Sequence, residues 1–259
     1  MKLMTPLALA GLAAFSGVAS AATIADLAHR WSFDNSSDSV GAANLTVNGT
    51  ATLSGGALNL PGGGPRANNA TLPIGATIGA STSLTVETWF TMGTGNGNWS
   101  KAWMFGTSDT NYMDFTPRSG DLNQISASHR STGFSETNTR TGTSMVINFS
   151  QGYLGTVVYD ANADLISLYL DGSLVGSKAW TGQVSDLGAT TENYIGSAVG
   201  FGDGDFIGSV DEMRIWTTAL NSSEVAANAA AGPNVVIPET STLLISCLGG
   251  FAFLRRRRA

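Results

Sequence analysis

Cysteine is nearly absent from this 259-residue chain: there is one, Cys247, twelve positions from the C-terminus. The rest of the chain therefore has no disulfide, no thiolate nucleophile and no cysteine metal site. Histidine is almost as scarce, with only His29 and His129. A conventional zinc centre or a histidine-based triad is poorly supplied. Basic residues are few and badly distributed. Lys2 and Arg255–Arg258 lie at the two ends, which leaves eight Lys and Arg between them against eighteen Asp and Glu up to Ile237, a net of −10. No basic patch survives that balance, which argues against nucleic acid and against anionic membrane surfaces as partners. Acidic loops in an exported domain are a natural host for Ca²⁺. No internal repeat of fixed period is present.

What is present begins with the two ends. "MKLMTPLALAGLAAFSGVASA" has one early positive charge, an apolar stretch and a small-x-small close at Ala19-Ser20-Ala21. This pattern predicts a cleaved secretory signal over 1–21, removed by signal peptidase. The C-terminal apolar run, residues 243–254, is twelve residues long. A lasting membrane span needs roughly 20, and Gly249-Gly250 weaken the run as a free helix. Arg255, Arg256, Arg257 and Arg258 follow it and would stay on the cytoplasmic side.

The interior, 22–237, reads as one all-β domain. It is rich in Gly, Ser, Thr and Asn, with short apolar runs at close spacing. "HRWSFD" and "SLTVETWF" alternate as half-buried strands do. In the second, Leu84, Val86 and Thr88 share one face, and Thr85, Glu87 and Trp89 the other. Glu87 fits a solvated position. "YLGTVVYD" and "LISLYLDG" form a hairpin across "DANAD". One late helix is expected over "LNSSEVAANAAAGP". Asn221 is its N-cap, Glu224 closes a capping box, Gly232 ends it and Pro233 stops it. Seven N-x-S/T triplets read as the chance product of an Asn/Ser/Thr-rich surface.

Two resemblances follow. Pro238-Glu239-Thr240, then "STLLISCLGGFAFL", then "RRRR" resembles the PEP-CTERM sorting signal, with Thr240 in place of the second proline. It implies transient membrane insertion of the tail 238–259, cleavage by an exosortase-type protease, and release to the cell surface or matrix of a Gram-negative, exopolysaccharide-producing bacterium. In the body, "AHRWSFDNSSDSVG", "SLTVETWF", "GTVVYD…LISLYLDGSLVG" and "GSVDEMRIWTTALNSSEV" occur in that order. Together they resemble the laminin-G-like, concanavalin A-like lectin/glucanase group over about 26–232. The resemblance implies a jelly-roll sandwich of two antiparallel sheets, often one structural Ca²⁺, and polysaccharide or protein ligands. It places the ion at Asp34 and Asp211, with Asp38 and a loop carbonyl such as that of Gly41. The plainer alternative is that Asp34 and Asp38 close turns and Asp211 pairs with Arg214.

β-Glucanases of this fold carry a carboxylate run on one strand, E-x-D-x-(x)-E. This chain has none, and Asp211 and Glu212 should point to opposite faces of a strand. No G-x-S-x-G elbow is present either. The expectation is a protein that is not an enzyme. Asp203 and Asp205, in "GFGDGDFIG", read as a plain turn. Trp31, Trp89 and Trp216 lie in strands and read as core. Sugar-binding platforms are expected at Trp99, Trp103 and Trp180, with Arg118, Asn123, His129 and Arg130 in a segment that aligns with nothing. The leading function is a secreted, non-catalytic binding domain. The alternatives are a structural matrix protein without a ligand, and a glycan-cleaving enzyme.

Overall fold

The structure is a computed structural model that describes residues 24–235, apart from 121–123, 137–139 and 143–144. The signal segment, the sorting tail and Asn123 lie outside the described residues. Among the described residues, no helix is long and apolar enough to cross a membrane.

Among the described residues, fourteen strands build two antiparallel sheets. The larger contains β3 (Thr52–Ser54), β4 (Ala57–Gly63), β6 (Leu84–Met92), β10 (Gly152–Asp160), β11 (Leu165–Leu170), β12 (Ser173–Ala179) and β14 (Asp205–Trp216), in the order β12-β11-β10-β6-β14-β4-β3. The strand β1 (Leu27–Trp31) also pairs with β14. The smaller sheet runs β2 (Thr46–Asn48), β5 (Asn69–Thr71), β13 (Glu192–Ile195), β7 (Trp103–Ser108), β8 (Asn111–Thr116) and β9 (Ser126–Arg130). Period-2 patterning turns one face of every strand inward, and stacking the two inward faces buries both. Leu84, Val86, Phe90 and Met92 of β6 meet Trp103, Phe105, Met113 and Phe115 of the smaller sheet in one core. Phe90 and Phe115 touch edge to face, 5.4 Å between centroids. Gly155 on β10 leaves room for that ring, since a Cβ there would stand 2.5 Å from the Phe115 Cζ.

The expected hairpin joins β10 to β11 with Asp160 opposite Leu165. The late helix, α2, spans Ser222–Ala231. The Asn221 side chain accepts from the Ser223 and Glu224 N–H groups, and Glu224 returns a bond to the Asn221 N–H at 2.7 Å. A short helix, α1 (Gly75–Ala80), was not expected.

The helix α2 packs on the outer face of the larger sheet and encloses a charge network. Glu87 is fully buried rather than solvated. It accepts from the Trp216 indole and the Asn228 amide, each at 2.9 Å, and faces Arg214 at 3.8 Å. Burial pushes its carboxyl up, opposed by Arg214, Trp216 and Asn228. Glu212 receives both nitrogens of the Arg30 fork at 2.9 Å and the Nε of Arg214.

Glu212 and Asp211 also correct the strand reading. The β14–β6 register shifts between Val210 and Glu212, so Val210 pairs with Phe90 and Glu212 with Trp89. This bulge leaves Asp211 beside Trp89 on the outer side, where Glu212 also sits. The two carboxylates therefore share a face, because the extra residue interrupts the alternation.

His129 on β9 faces the core, 4.9 Å from the Trp180 ring and 6.3 Å from Tyr159. It was expected in a binding loop; its position on an inward-facing strand excludes that. Burial lowers its pKa from 6.5 to about 4. The unfolded chain takes up this proton near 6.5, but the folded chain only near 4, so stability is lost as pH falls through that window. The loss should reach about 3 kcal/mol. Thermal melts between pH 7 and pH 4 should show a shallower acid decline for His129→Phe than for the parent. Equal declines would rule out this source of acid sensitivity.

Candidate functional site

The outer face of the smaller sheet is assembled by register. Thr46, Thr71, Tyr194 and Met104 stand opposite one another across β2, β5, β13 and β7. Arg130 of β9 opposes Tyr112 of β8, and Ser128 opposes Asp114. Tyr112, Met104, Ala198 and Val199 form a separate apolar cluster on this face, with the half-exposed Tyr194 and Phe201 packed against it. Phe201 meets Tyr112 edge to face at 5.6 Å.

Beside this aromatic row lies a polar floor. The Lys101 ammonium donates to Asp114 at 2.6 Å and to Thr116 at 2.9 Å. Ser128 donates to the other Asp114 oxygen at 2.5 Å. All four side chains are buried, so the pair is held dry and its remaining acceptors are satisfied by hydroxyls. Asp203 is half-buried nearby; burial pushes its carboxyl up, opposed by Lys101 and reinforced by Glu136 and Asp114. The Asn48 amide bridges Asn69 (2.9 Å) and Thr71 (2.7 Å) at the β2–β5 edge. The face thus offers amides, aromatics and charged groups in one continuous series.

Trp99 stands at the rim, half-exposed and in the left-handed region at φ +68°. Arg140 lies over its ring at 4.6 Å and Lys101 at 5.3 Å. Arg140 is itself paired with Glu136 at 2.8 Å. Arg118 lies over the exposed Phe149 ring at 5.8 Å, and its carbonyl accepts from the Trp99 N–H. Arg130 donates to the Asp109 carbonyl at 2.6 Å. Trp99, Arg118 and Arg130 are therefore not buried in the core.

Trp103 and Trp180 are core residues, 0 % and 1 % exposed. Trp103 stacks on Phe105 at 4.7 Å, and Trp180 packs on His129 and Tyr159. A ring with no solvent-facing surface offers no platform. Trp31, Trp89 and Trp216 are buried, as expected. Asp205 is not part of a plain turn: it is buried and accepts from Ser197 and from the Arg66 and Asn68 N–H groups. Tyr112, Tyr194, Phe201 and Arg66 went unnoticed in the sequence. The parity of β8 and β13 could have flagged the two tyrosines; Arg66 and Phe201 lie in loops with no periodic signal.

The chain belongs to the concanavalin A-like lectin/glucanases superfamily, whose laminin G model matches residues 62–226. Among solved structures it is similar to domain 4 of AbnA, a GH43 extracellular arabinanase from Geobacillus stearothermophilus, in complex with arabinotriose. The identity is 20%, covering 78% of this chain and 97% of that one, with a TM-score of 0.61. It is also similar to the CBM40 of the Ruminococcus gnavus IT-sialidase bound to α2,3-sialyllactose, at 14% identity over 66% of this chain and 95% of that one, with a TM-score of 0.52. These likenesses show the shared fold. No curated protein matches.

The calcium ligands implied by the family resemblance can be checked against the geometry. Asp38 is buried, and its two oxygens accept from the backbone N–H groups of Arg30, Val40, Gly41 and Ala43 and from His29. Burial pushes its carboxyl up, but these donors outweigh it and hold the carboxyl below its usual range. Donors converging on an oxygen exclude a cation there. Gly41 contributes its N–H, and Asp34 is exposed and accepts from Ser32 at 3.0 Å. Asp211 lines a cleft of about 580 Å³ between Trp89 and α2; burial pushes its carboxyl up. Among the described residues, no three His, Cys, Asp or Glu side chains gather to hold a metal. These residues do not fit one calcium site. Arg214 pairs with Glu212 and Glu87, so the alternative pairing with Asp211 is also absent. Asp38→Ala should cost about 3 kcal/mol or more through its orphaned N–H groups. By thermal melting the loss should be the same in calcium and in EDTA; a loss confined to calcium-containing buffer would return Asp38 to the role of a metal ligand.

Proposed function

We propose that this chain is an exported, non-catalytic binding module whose outer face on the smaller sheet takes a polysaccharide at the cell surface or in the extracellular matrix. One observation carries the reading: half-exposed Tyr194, Phe201 and Trp99 stand around a dry, fully hydrogen-bonded polar floor on a rigid sheet. Sugars present apolar ring faces and a fringe of hydroxyls. Aromatic rings stack on the former, while amides, hydroxyls and carboxylates bond the latter. The carbohydrate ligands of the AbnA domain and the CBM40 domain support that reading by analogy of fold.

Catalysis is left out of it for a chemical reason. Glycoside hydrolysis needs one carboxyl able to donate a proton and a second free to act as base or nucleophile. Asp114 is bound by Lys101, Thr116 and Ser128, and Glu136 by Arg140. Glu192 is engaged by the Tyr194 phenol, which leaves Asp203 without a second free carboxylate beside it.

The export route rests on the two ends. Signal peptidase would remove 1–21, and an exosortase-type protease would cut near Pro238-Glu239, discarding the cluster Arg255–Arg258. The intact mass of the mature protein should correspond to a chain lacking both; a species that keeps Arg255–Arg258 would contradict sorting. For the binding function, a glycan array should give specific signals. Trp99→Ala or Tyr194→Ala should then weaken binding about tenfold, roughly 1.4 kcal/mol. A protein that binds no glycan would be a structural matrix component instead.

A further inference from the structure

Arg66 is the residue on this face that the fold goes furthest to position. It lies between β4 and β5 with φ +59°, in the left-handed region that non-glycine residues enter at a cost. Buried Asp205 imposes that conformation. One of its oxygens accepts from the Arg66 N–H at 2.9 Å and from Ser197 at 2.6 Å; the other accepts from the Asn68 N–H at 2.7 Å. Asn68 is fixed in turn, donating to the Gly62 carbonyl at 2.6 Å and accepting from the Thr50 N–H at 2.6 Å. Backbone held in a sparsely populated region by surrounding contacts is a pointer to function.

The loop is also tied to the Tyr194 end of β13: the Arg66 N–H donates to the Ser197 hydroxyl at 3.2 Å, three residues on from Tyr194, and the charge of the exposed Arg66 side chain reaches the Tyr194 phenol. No carboxylate among the described residues pairs with Arg66. Glu192, on the same strand as Tyr194, is an acceptor for the phenol. At the far strand of the same face, Arg130 gives one hydrogen bond to a carbonyl and pairs with no carboxylate among the described residues. The outer aromatic row thus has an arginine without an ion pair at each side. The domain between the two ends carries a net of −10. A polyanion is repelled by such a surface unless cationic groups are placed to receive it. A neutral sugar needs hydrogen-bond donors but no cation.

We propose that the face selects an acidic polysaccharide, with the sugar stacked on Tyr194 and its carboxylate received by Arg66. The planar fork of a guanidinium matches a carboxylate in two parallel hydrogen bonds, which a lysine cannot reproduce. Arg130 receives charge further along the chain. This inference rests on the carbohydrate-binding reading and adds the ligand's chemical class.

The test measures binding of the purified protein to polygalacturonate and to neutral arabinan, at low and moderate salt. The acidic polymer should bind more tightly, and its advantage should shrink as salt rises. Arg66→Gly is the informative variant. Glycine is at ease at this φ, so folding is preserved while the guanidinium is removed. It should lose about tenfold in affinity for polygalacturonate, and Arg66→Lys should restore only part. Melting curves verify that both variants fold. Equal binding of the two polymers, with no effect of Arg66→Gly, would overturn the anionic preference and leave the carbohydrate reading standing. Failure to bind either polymer, together with a blank glycan array, would overturn both.

Discussion

Arg214 is the charge on which the larger sheet depends. It sits fully buried on β14, the strand that pairs with β1, β4 and β6. Its guanidinium stacks on Trp89 at 4.4 Å, bonds Glu212, faces Glu87 and reaches the Val235 carbonyl at 2.8 Å. Through Glu212 it is coupled to Arg30 on β1, and through Glu87 to Asn228 on α2. Two arginines and two glutamates balance, so no net charge is left in the dry space. A buried network of this kind contributes little net stability but punishes the loss of any member, because the partner stays buried and uncompensated. It therefore fixes where β1, α2 and residues 232–235 must sit.

That constraint divides labour between the two sheets. The larger sheet has its outer face covered by α2 around Glu87 and Trp216, beside the cleft lined by Asp211. The smaller sheet keeps its outer face for polar and aromatic groups, held by loops rather than by a helix. Its buried Lys101–Asp114 pair resembles the Arg214 network in balancing charge, yet it lies under half-exposed rings. One ion network closes a surface, and the other forms the base of an open one.

The fold was legible because its signals are local. Period-2 patterning marked β1 and β6, the polar loop between two apolar runs marked the β10–β11 hairpin, and the Asn221–Glu224 box marked α2. The buried roles of Trp31, Trp89 and Trp216 followed from strand membership. The site was legible only in part. Trp99 could be picked out as a polar-flanked ring, whereas Arg130, expected in an irregular segment, ends β9. Trp103 and Trp180 have similar neighbours in the chain, but the sheets bury them. The bulge at Asp211 was not readable, because one extra residue leaves no mark in composition and reverses which face a side chain meets.

By itself the sequence determined a two-sheet β-sandwich, one capping helix and an acidic domain poor in thiols and imidazoles. Patterning and composition act through nearest neighbours along the chain, so they can be read without coordinates. Only the tertiary structure decided that Asp38 organises a loop with its N–H donors, that Glu87 is a buried partner of Arg214, and that Asp205 sets the backbone of Arg66. Each of these is a contact between residues far apart in the chain or across a turn. A carboxylate's role is set by which donors reach it, and that depends on how the sheets are stacked.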